Sequence, residues 1–267
     1  MSIKNRILNL LSPKVLSVVE PLYYQFQLLH SKLRWKLFGK KLAPKDIPII
    51  INNFNRLEYL TKLITSLKSR GYNNIHILDN DSTYPPLLDF YKNTDVNVIY
   101  LGKNWGFRAI WDSGIVKEFW DSYYVYTDSD MELTQDCPDD FMEFFLRVLK
   151  KYSNCFKVGF GLKIDDLPDC FRNKKLVVEH ESQFWESKLE QGLYKAPIDT
   201  TFALYRPYTG TSANANKMNI RTADPYIIRH LPWYINSDRL SEEEIYYVNS
   251  ISKSTHWSII NKDKSNN

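Results

Sequence analysis

Ile47-Pro48-Ile49-Ile50-Ile51-Asn52-Asn53-Phe54-Asn55-Arg56 passes from an unbroken apolar run straight into polar residues. A run with no polar alternation is what a strand carries when both faces of a parallel sheet are covered. Leu57, Leu60, Leu63, Ile64 and Leu67 follow at helical spacing and stop near Gly71. The pattern then repeats. Ile75-His76-Ile77-Leu78 runs into Asp79-Asn80-Asp81-Ser82-Thr83, and Pro85 opens a helix through Leu87, Leu88 and Tyr91. Val96 to Leu101 runs into Gly102 to Arg108, and a helix is expected from Ala109 to Phe119. Tyr123 to Tyr126 then leads into Asp128-Ser129-Asp130. This βαβαβαβ order implies right-handed crossovers and an α/β, Rossmann-like, doubly wound and mostly parallel sheet. Ligands of such sheets lie outside the carboxyl ends of the strands, which is where all four runs turn polar.

In an extended chain residues i and i+2 point the same way, so Asp128 and Asp130 converge. Two hard oxygen donors at a strand end suit Mg²⁺ or Mn²⁺ holding phosphates, although an isolated D-x-D is more commonly an acidic turn. No G-x-G-x-x-G follows the first strand and no G-x-x-x-x-G-K-[ST] occurs, which disfavours dinucleotide enzymes and P-loop nucleotidases.

Four segments together resemble family 2 type glycosyltransferases with the glycosyltransferase A fold. Pro48 to Arg56 is similar to their P-x-x-x-x-x-[YF]-N-R opening, and Ile77 to Thr83 to x-x-D-[DN]-G-S-T. Asn104-Trp105-Gly106 with the later Gly114 is similar to their N-x-G helix start, and Asp128-Ser129-Asp130 falls where the family keeps its D-x-D. The resemblance implies that Asp79 binds the base of a nucleoside-diphosphate sugar, most often uracil, with Asn53 and Arg56 flanking base and ribose. Asn104 and Arg108, with Lys103 beside them, are implied near ribose or diphosphate. Asp128 is implied to serve ribose or metal, and Asp130 to be the main ligand of Mn²⁺ or Mg²⁺. Asp81 stands where the family usually has Gly; Asp tolerates left-handed backbone better than most residues.

The second half, residues 134–260, is expected to bind the acceptor. Val158 to Ile164 reads as a strand despite Gly159 and Gly161, and Asp165-Asp166 as a turn before Pro168. Ala196 to Arg206 reads as a further strand with Asp199 near its start; Ile198 to Tyr205 and Arg229-His230-Leu231-Pro232-Trp233-Tyr234 resemble a bacterial subset of the same family. An inverting transfer needs one base for the acceptor hydroxyl. Asp199 is the expected base, with an N-cap role as its alternative and Asp165 and Asp166 as competitors. The resemblance also implies a C-terminal His at the metal or diphosphate, for which His230 is the candidate, with Arg229 as a second phosphate-seeking group. His180 to Trp185, Trp233 and Tyr234 offer rings for a sugar or lipid, or for packing. Tyr208 to Arg221 lacks periodicity and reads as a lid. Ser241-Glu242-Glu243-Glu244 is a capping box opening a last helix through Val248.

The chain of 267 residues suits one large catalytic domain over 46–260 plus an extension over 1–45. A net charge of +4 attracts anions but does not argue for nucleic acid. Cys137, Cys155 and Cys170 lack metal spacing and fit a reducing compartment, so a cytoplasmic location is expected. From Leu22 to Leu37 apolar residues recur at helical spacing among Lys32, Arg34, Lys36, Lys40 and Lys41. Such a basic amphipathic helix lies on an anionic membrane surface, so residues 1–43 are expected either to contact the inner membrane face peripherally or to dock on the main domain or a second subunit as a homo-oligomer. The whole reads as a metal-dependent transferase of sugar from a nucleoside diphosphate, UDP favoured, to a carbohydrate or lipid-linked acceptor in surface glycan synthesis. A sugar nucleotidyltransferase and a non-catalytic binding module are the alternatives.

Overall fold

The computed structural model describes residues 13–209 and 218–251. The first half contains α1 (Pro13–Phe38), β1 (Ile49–Asn53), α2 (Glu58–Ser69), β2 (Ile75–Asp79), α3 (Pro85–Asn93), β3 (Asn97–Tyr100), a short α4 (Ala109–Asp112) and β4 (Tyr124–Asp128). There follow β5 (Met131–Leu133), α5 (Phe141–Lys151), β6 (Lys157–Leu162), α6 (Lys174–Ser182), β7 (Lys188–Glu190), β8 (Leu193–Lys195), β9 (Ala203–Tyr205), β10 (Asn219–His230) and α7 (Glu242–Ser250). One sheet holds every strand in the order β3-β2-β1-β4-β9-β6-β10-β8-β7, with β5 paired to β10. β3, β2, β1 and β4 are mutually parallel, and β10 is parallel to β6. β9 enters between β4 and β6, antiparallel to both. This is the glycosyltransferase A architecture expected from the sequence.

The unbroken apolar run of β1 is explained by burial on both faces. Ile49 and Ile51 pack with Leu60, Leu63 and Leu67 of α2 on one side. Ile50 packs with Ala109, Ile110, Tyr124 and Tyr126 on the other. All three isoleucines are fully buried. After Lys157, β6 reads as apolar but for its two glycines, and both have steric reasons. A Cβ on Gly159 would strike the Phe202 carbonyl oxygen, and one on Gly161 would strike the Trp185 ring.

Three expected elements are shorter or longer than the sequence suggested. The helix from Ala109 to Phe119 breaks after Asp112: Gly114 takes a φ of 86°, and only a 3₁₀ turn, Ile115–Glu118, follows. Of the strand expected over Ala196 to Arg206, only Ala203–Tyr205 pairs, because the chain must first cross from β8 to the gap between β4 and β6. The N-terminal helix starts at Pro13, before the expected Leu22, and continues through Pro21. A proline there forfeits an intrahelical bond without ending a helix that is held elsewhere by packing. Ser241 caps α7 as expected, its hydroxyl accepting from the Glu244 N–H at 3.2 Å. Cys137 and Cys155 are buried free thiols, whereas Cys170 is exposed.

Candidate active site

Parallel register sets the first layer of the site. Asn53 lies beside Asp79, and Asn52 beside Asp128, at the carboxyl ends of β2, β1 and β4. Loops from those ends are stapled by asparagine side chains. Asn55, at φ 53°, accepts from the Thr83 and Tyr84 N–H groups at 2.7 and 2.9 Å. Buried Asn80 accepts from the Trp105 N–H at 2.7 Å and donates to the Gly106 carbonyl at 3.0 Å. Asp81 adopts φ 69°, so the turn that usually holds glycine survives with aspartate.

The buried Asp79 carboxylate accepts from Tyr91 O–H at 3.1 Å and from the Ser82 N–H at 3.2 Å. Asn53 donates to the same Tyr91 oxygen at 2.9 Å. Asn53 and Asp79 are thus joined through Tyr91, and Asn53 Oδ1 is buried without a hydrogen-bond partner among the described residues. Asn104 is exposed and caps its own turn, accepting from the Gly106 N–H at 2.8 Å. Arg108 pairs with Asp112 at 3.2 Å. It also lines a small cleft with Phe107, Trp111, Lys157, Asp199, Thr200 and Tyr205, so the expected base and this cation border the same space.

Asp128 and Asp130 share the end of β4 but differ in surroundings. Asp128 accepts from the Thr200 hydroxyl at 2.5 Å. Burial and the neighbouring Asp130 push its carboxyl well above the usual range. Asp130 is also penalised by burial, yet His230 and Arg56 outweigh that and hold it below the usual range. His230 Nε2 is 3.5 Å from Asp130 Oδ2, with the two side chains 17% and 21% exposed. The pairing of β5 with the end of β10 makes this contact, since Met131 lies opposite His230 and the Leu231 N–H donates to the Asp130 carbonyl at 2.8 Å.

Asp130, His230 and Asp128 do not form a preassembled three-ligand cage, and none occurs among the described residues. Asp128 is turned to Thr200. Each of the remaining pair keeps one donor atom for a divalent cation: the two side chains meet through Oδ2 and Nε2, while Asp130 Oδ1 and His230 Nδ1 are buried without hydrogen-bond partners among the described residues. Mg²⁺ and Mn²⁺ commonly take one or two carboxylates and complete their shell with water and substrate phosphates.

Several expectations fall differently. Arg56 is not open to a nucleotide; it is 4% exposed and both its terminal nitrogens bind Glu244 of α7. Its guanidinium lies 3.6 Å over the Tyr247 ring. Arg229 turns away from His230, as adjacent strand residues must, and holds Asp166 at 2.5 Å. Tyr234 O–H donates to that same Asp166 at 2.5 Å, while Lys163 pairs with Asp165 at 2.8 Å. Asp165 and Asp166 are therefore occupied turn carboxylates. Trp233 is 2% exposed and packs edge-on to His230 at 4.6 Å, and Trp185 packs edge-on to Tyr194. Of the lid expected over Tyr208 to Arg221, residues 210–217 lie outside the described residues.

The sequence foretold the helix α7 but not its place beside the site. Glu243 accepts from the Leu57 and Glu58 N–H groups at 2.8 and 2.9 Å, and Tyr246 O–H donates to the Thr83 carbonyl at 2.9 Å. Tyr247 meets Phe54 edge-on at 6.3 Å. The helix thus clasps the loops after β1 and β2. Its capping box was legible, but nothing in its own sequence said where it docks.

A sheet of this order, with carboxylates at the end of β4 and an asparagine-stapled pair of loops beside them, has the glycosyltransferase A architecture. Residues 49–156 match the family described as Glycosyl transferase family 2, so the chain carries a family 2 domain and is a glycosyltransferase. Its substrates are accordingly a nucleotide sugar and an acceptor. No curated protein matches the chain significantly.

Proposed function

We propose that the protein is a metal-dependent, inverting transferase that uses a nucleoside-diphosphate sugar, UDP-sugars first, to extend a carbohydrate or lipid-linked acceptor in surface glycan synthesis. The observation that carries the metal assignment is the Asp130–His230 pair, with one buried unpartnered atom on each side chain. Asp130 and His230 would hold Mn²⁺ or Mg²⁺, which on binding supplies positive charge to the departing diphosphate. Asp79 and Asn53 would bind the base, and Asp128 the ribose, in place of its present bond to Thr200.

Asp199 is exposed and lines the same cleft as Arg108 and Thr200. In this reading it takes the proton of the acceptor hydroxyl as that oxygen bonds the anomeric carbon and the diphosphate oxygen leaves. Arg108 can exchange Asp112 for the diphosphate, since that pair is exposed and weak. The deciding experiment is thermal shift with UDP-, GDP- and dTDP-sugars with and without Mn²⁺. A Mn²⁺-dependent shift with one nucleotide class, abolished in Asp130→Ala, is expected. An equal shift in that variant would remove Asp130 from the metal site.

A further inference from the structure

α1 has two working faces, and among the described residues only one is packed against the body. Towards the body, Tyr24, Leu28 and Ser31 are nearly fully buried. Tyr24 packs on Phe156 with ring centroids 5.9 Å apart, and Ser31 O–H donates to the Pro207 carbonyl at 2.5 Å. Arg34 lies 4.4 Å over the Tyr208 ring, and Lys40 pairs with Asp121 at 2.9 Å. The helix is therefore fixed in orientation.

Its opposite face carries Val15, Val19, Leu22, Phe26, Leu29, Leu33 and Leu37 at spacings of three and four, one continuous stripe. Every one of these is at least 37% exposed, and Leu22, Phe26 and Leu37 are 60%, 65% and 69% exposed. Exposed Lys32 and Lys36 border the stripe, one turn beyond Leu29 and Leu33.

Charge decides what covers it. Residues 1–41 hold eight Lys and Arg against one acid, Glu20, so this segment is +7 within a chain of net +4 and the remainder is −3. Glu20 is engaged by Tyr24 O–H at 2.5 Å. A second copy would bring two such +7 segments together, which like-charge repulsion opposes. A bilayer crossing is also unsuited, because no described helix is long and apolar enough. An apolar stripe bordered by lysines, in a segment almost free of acids, fits the headgroup layer of an anionic membrane.

We propose that α1 is a rigid membrane-docking rail whose Val15-to-Leu37 stripe enters an anionic lipid surface while Tyr24, Leu28 and Ser31 hold the catalytic body. Its contacts with the body, at Tyr123 and Phe156, immediately precede β4 and β6. The membrane would thus lie beyond the amino-terminal ends of β4 and β6, at the opposite end of these strands from Asp128 and Asp130, which face the aqueous side.

The test is co-sedimentation of the full chain with phosphatidylcholine vesicles, with and without about 30% phosphatidylglycerol. Binding to the anionic vesicles only, weakened in about 0.5 M salt, is expected. Leu22→Ser with Phe26→Ser, and separately Lys32→Glu with Lys36→Glu, should each weaken it at least roughly tenfold with an unchanged melting temperature. These side chains are exposed, so the fold does not depend on them. Equal recovery in the supernatant for anionic and neutral vesicles would overturn the proposal. So would a dimer in sedimentation velocity that the Leu22/Phe26 variant dissociates, since the stripe would then be covered by a second copy.

Discussion

Arg56 and Arg221 are both buried arginines paired with buried glutamates, but they lie in different halves of the sheet. Arg221 sits within β10, 3% exposed, and binds Glu181 of α6 at 2.6 Å and the Pro197 carbonyl at 2.8 Å. Its guanidinium is 4.3 Å over Phe184. All of these tie α6 and the segment before Asp199 to the sheet. Arg56 sits past the carboxyl end of β1, binds Glu244, and lies close enough to Asp130 to hold that carboxylate down. The same chemical pair is structural where it joins elements along a strand, and electrostatically part of the site where it lies at a strand's carboxyl end.

Three measurements would break or sharpen this contrast. The largest effect is expected from Arg221→Ala, which strands a buried carboxylate and costs about 3–5 kcal/mol in a denaturant titration. If it cost under about 1 kcal/mol, Glu181 would have another partner and the structural reading of Arg221 would fail.

Next come two paired replacements. Arg221→Met with Glu181→Leu removes both charges and should restore stability to within about 1 kcal/mol, with donor binding unchanged. Arg56→Met with Glu244→Leu should also stay folded, yet weaken donor binding roughly tenfold, because Asp130 loses a cation and α7 loses its hold on the β1 loop. Equal donor affinity in both double variants would erase the distinction.

The smallest effect concerns Asp166. Burial disfavours its charge, but hydrogen bonds from Tyr234 and Arg229 outweigh that and hold it below the usual carboxylate range. A folded-state value below the unfolded one adds stability at pH above about 4, lost as pH falls through the folded value. Asp166→Asn should therefore cost up to about 1 kcal/mol at pH 7, and progressively less as pH falls through the folded-state value. A cost independent of pH would mean that its hydrogen bonds, and not its charge, matter.

The four polar strand ends were legible because parallel α/β sheets place ligands there, and Asp79, Asp128 and Asp130 all stand at or just past those ends. Arg56 illustrates the limit. Its position after β1 was readable, but its partner lies 188 residues away on a helix whose own sequence shows only an N-cap and an acidic first turn. Arg229 and His230 mark the same boundary: adjacent in sequence, they point to opposite sides of β10, and only His230 reaches Asp130.

What the sequence by itself determined is local and periodic: the βαβ order, the two-sided burial of β1, the left-handed turn at Asp81 and the apolar spacing along α1. Those follow from backbone sterics and side-chain period, which act over a few residues. Only the tertiary structure decided that β9 inserts between β4 and β6, that β5 meets the end of β10, and that α7 clasps the nucleotide loops. It also decided that one face of α1 is spent on the body and the other left bare. Each of those is a choice among long-range partners of similar apolar character, settled by the packing of the whole sheet, which no short window of sequence records.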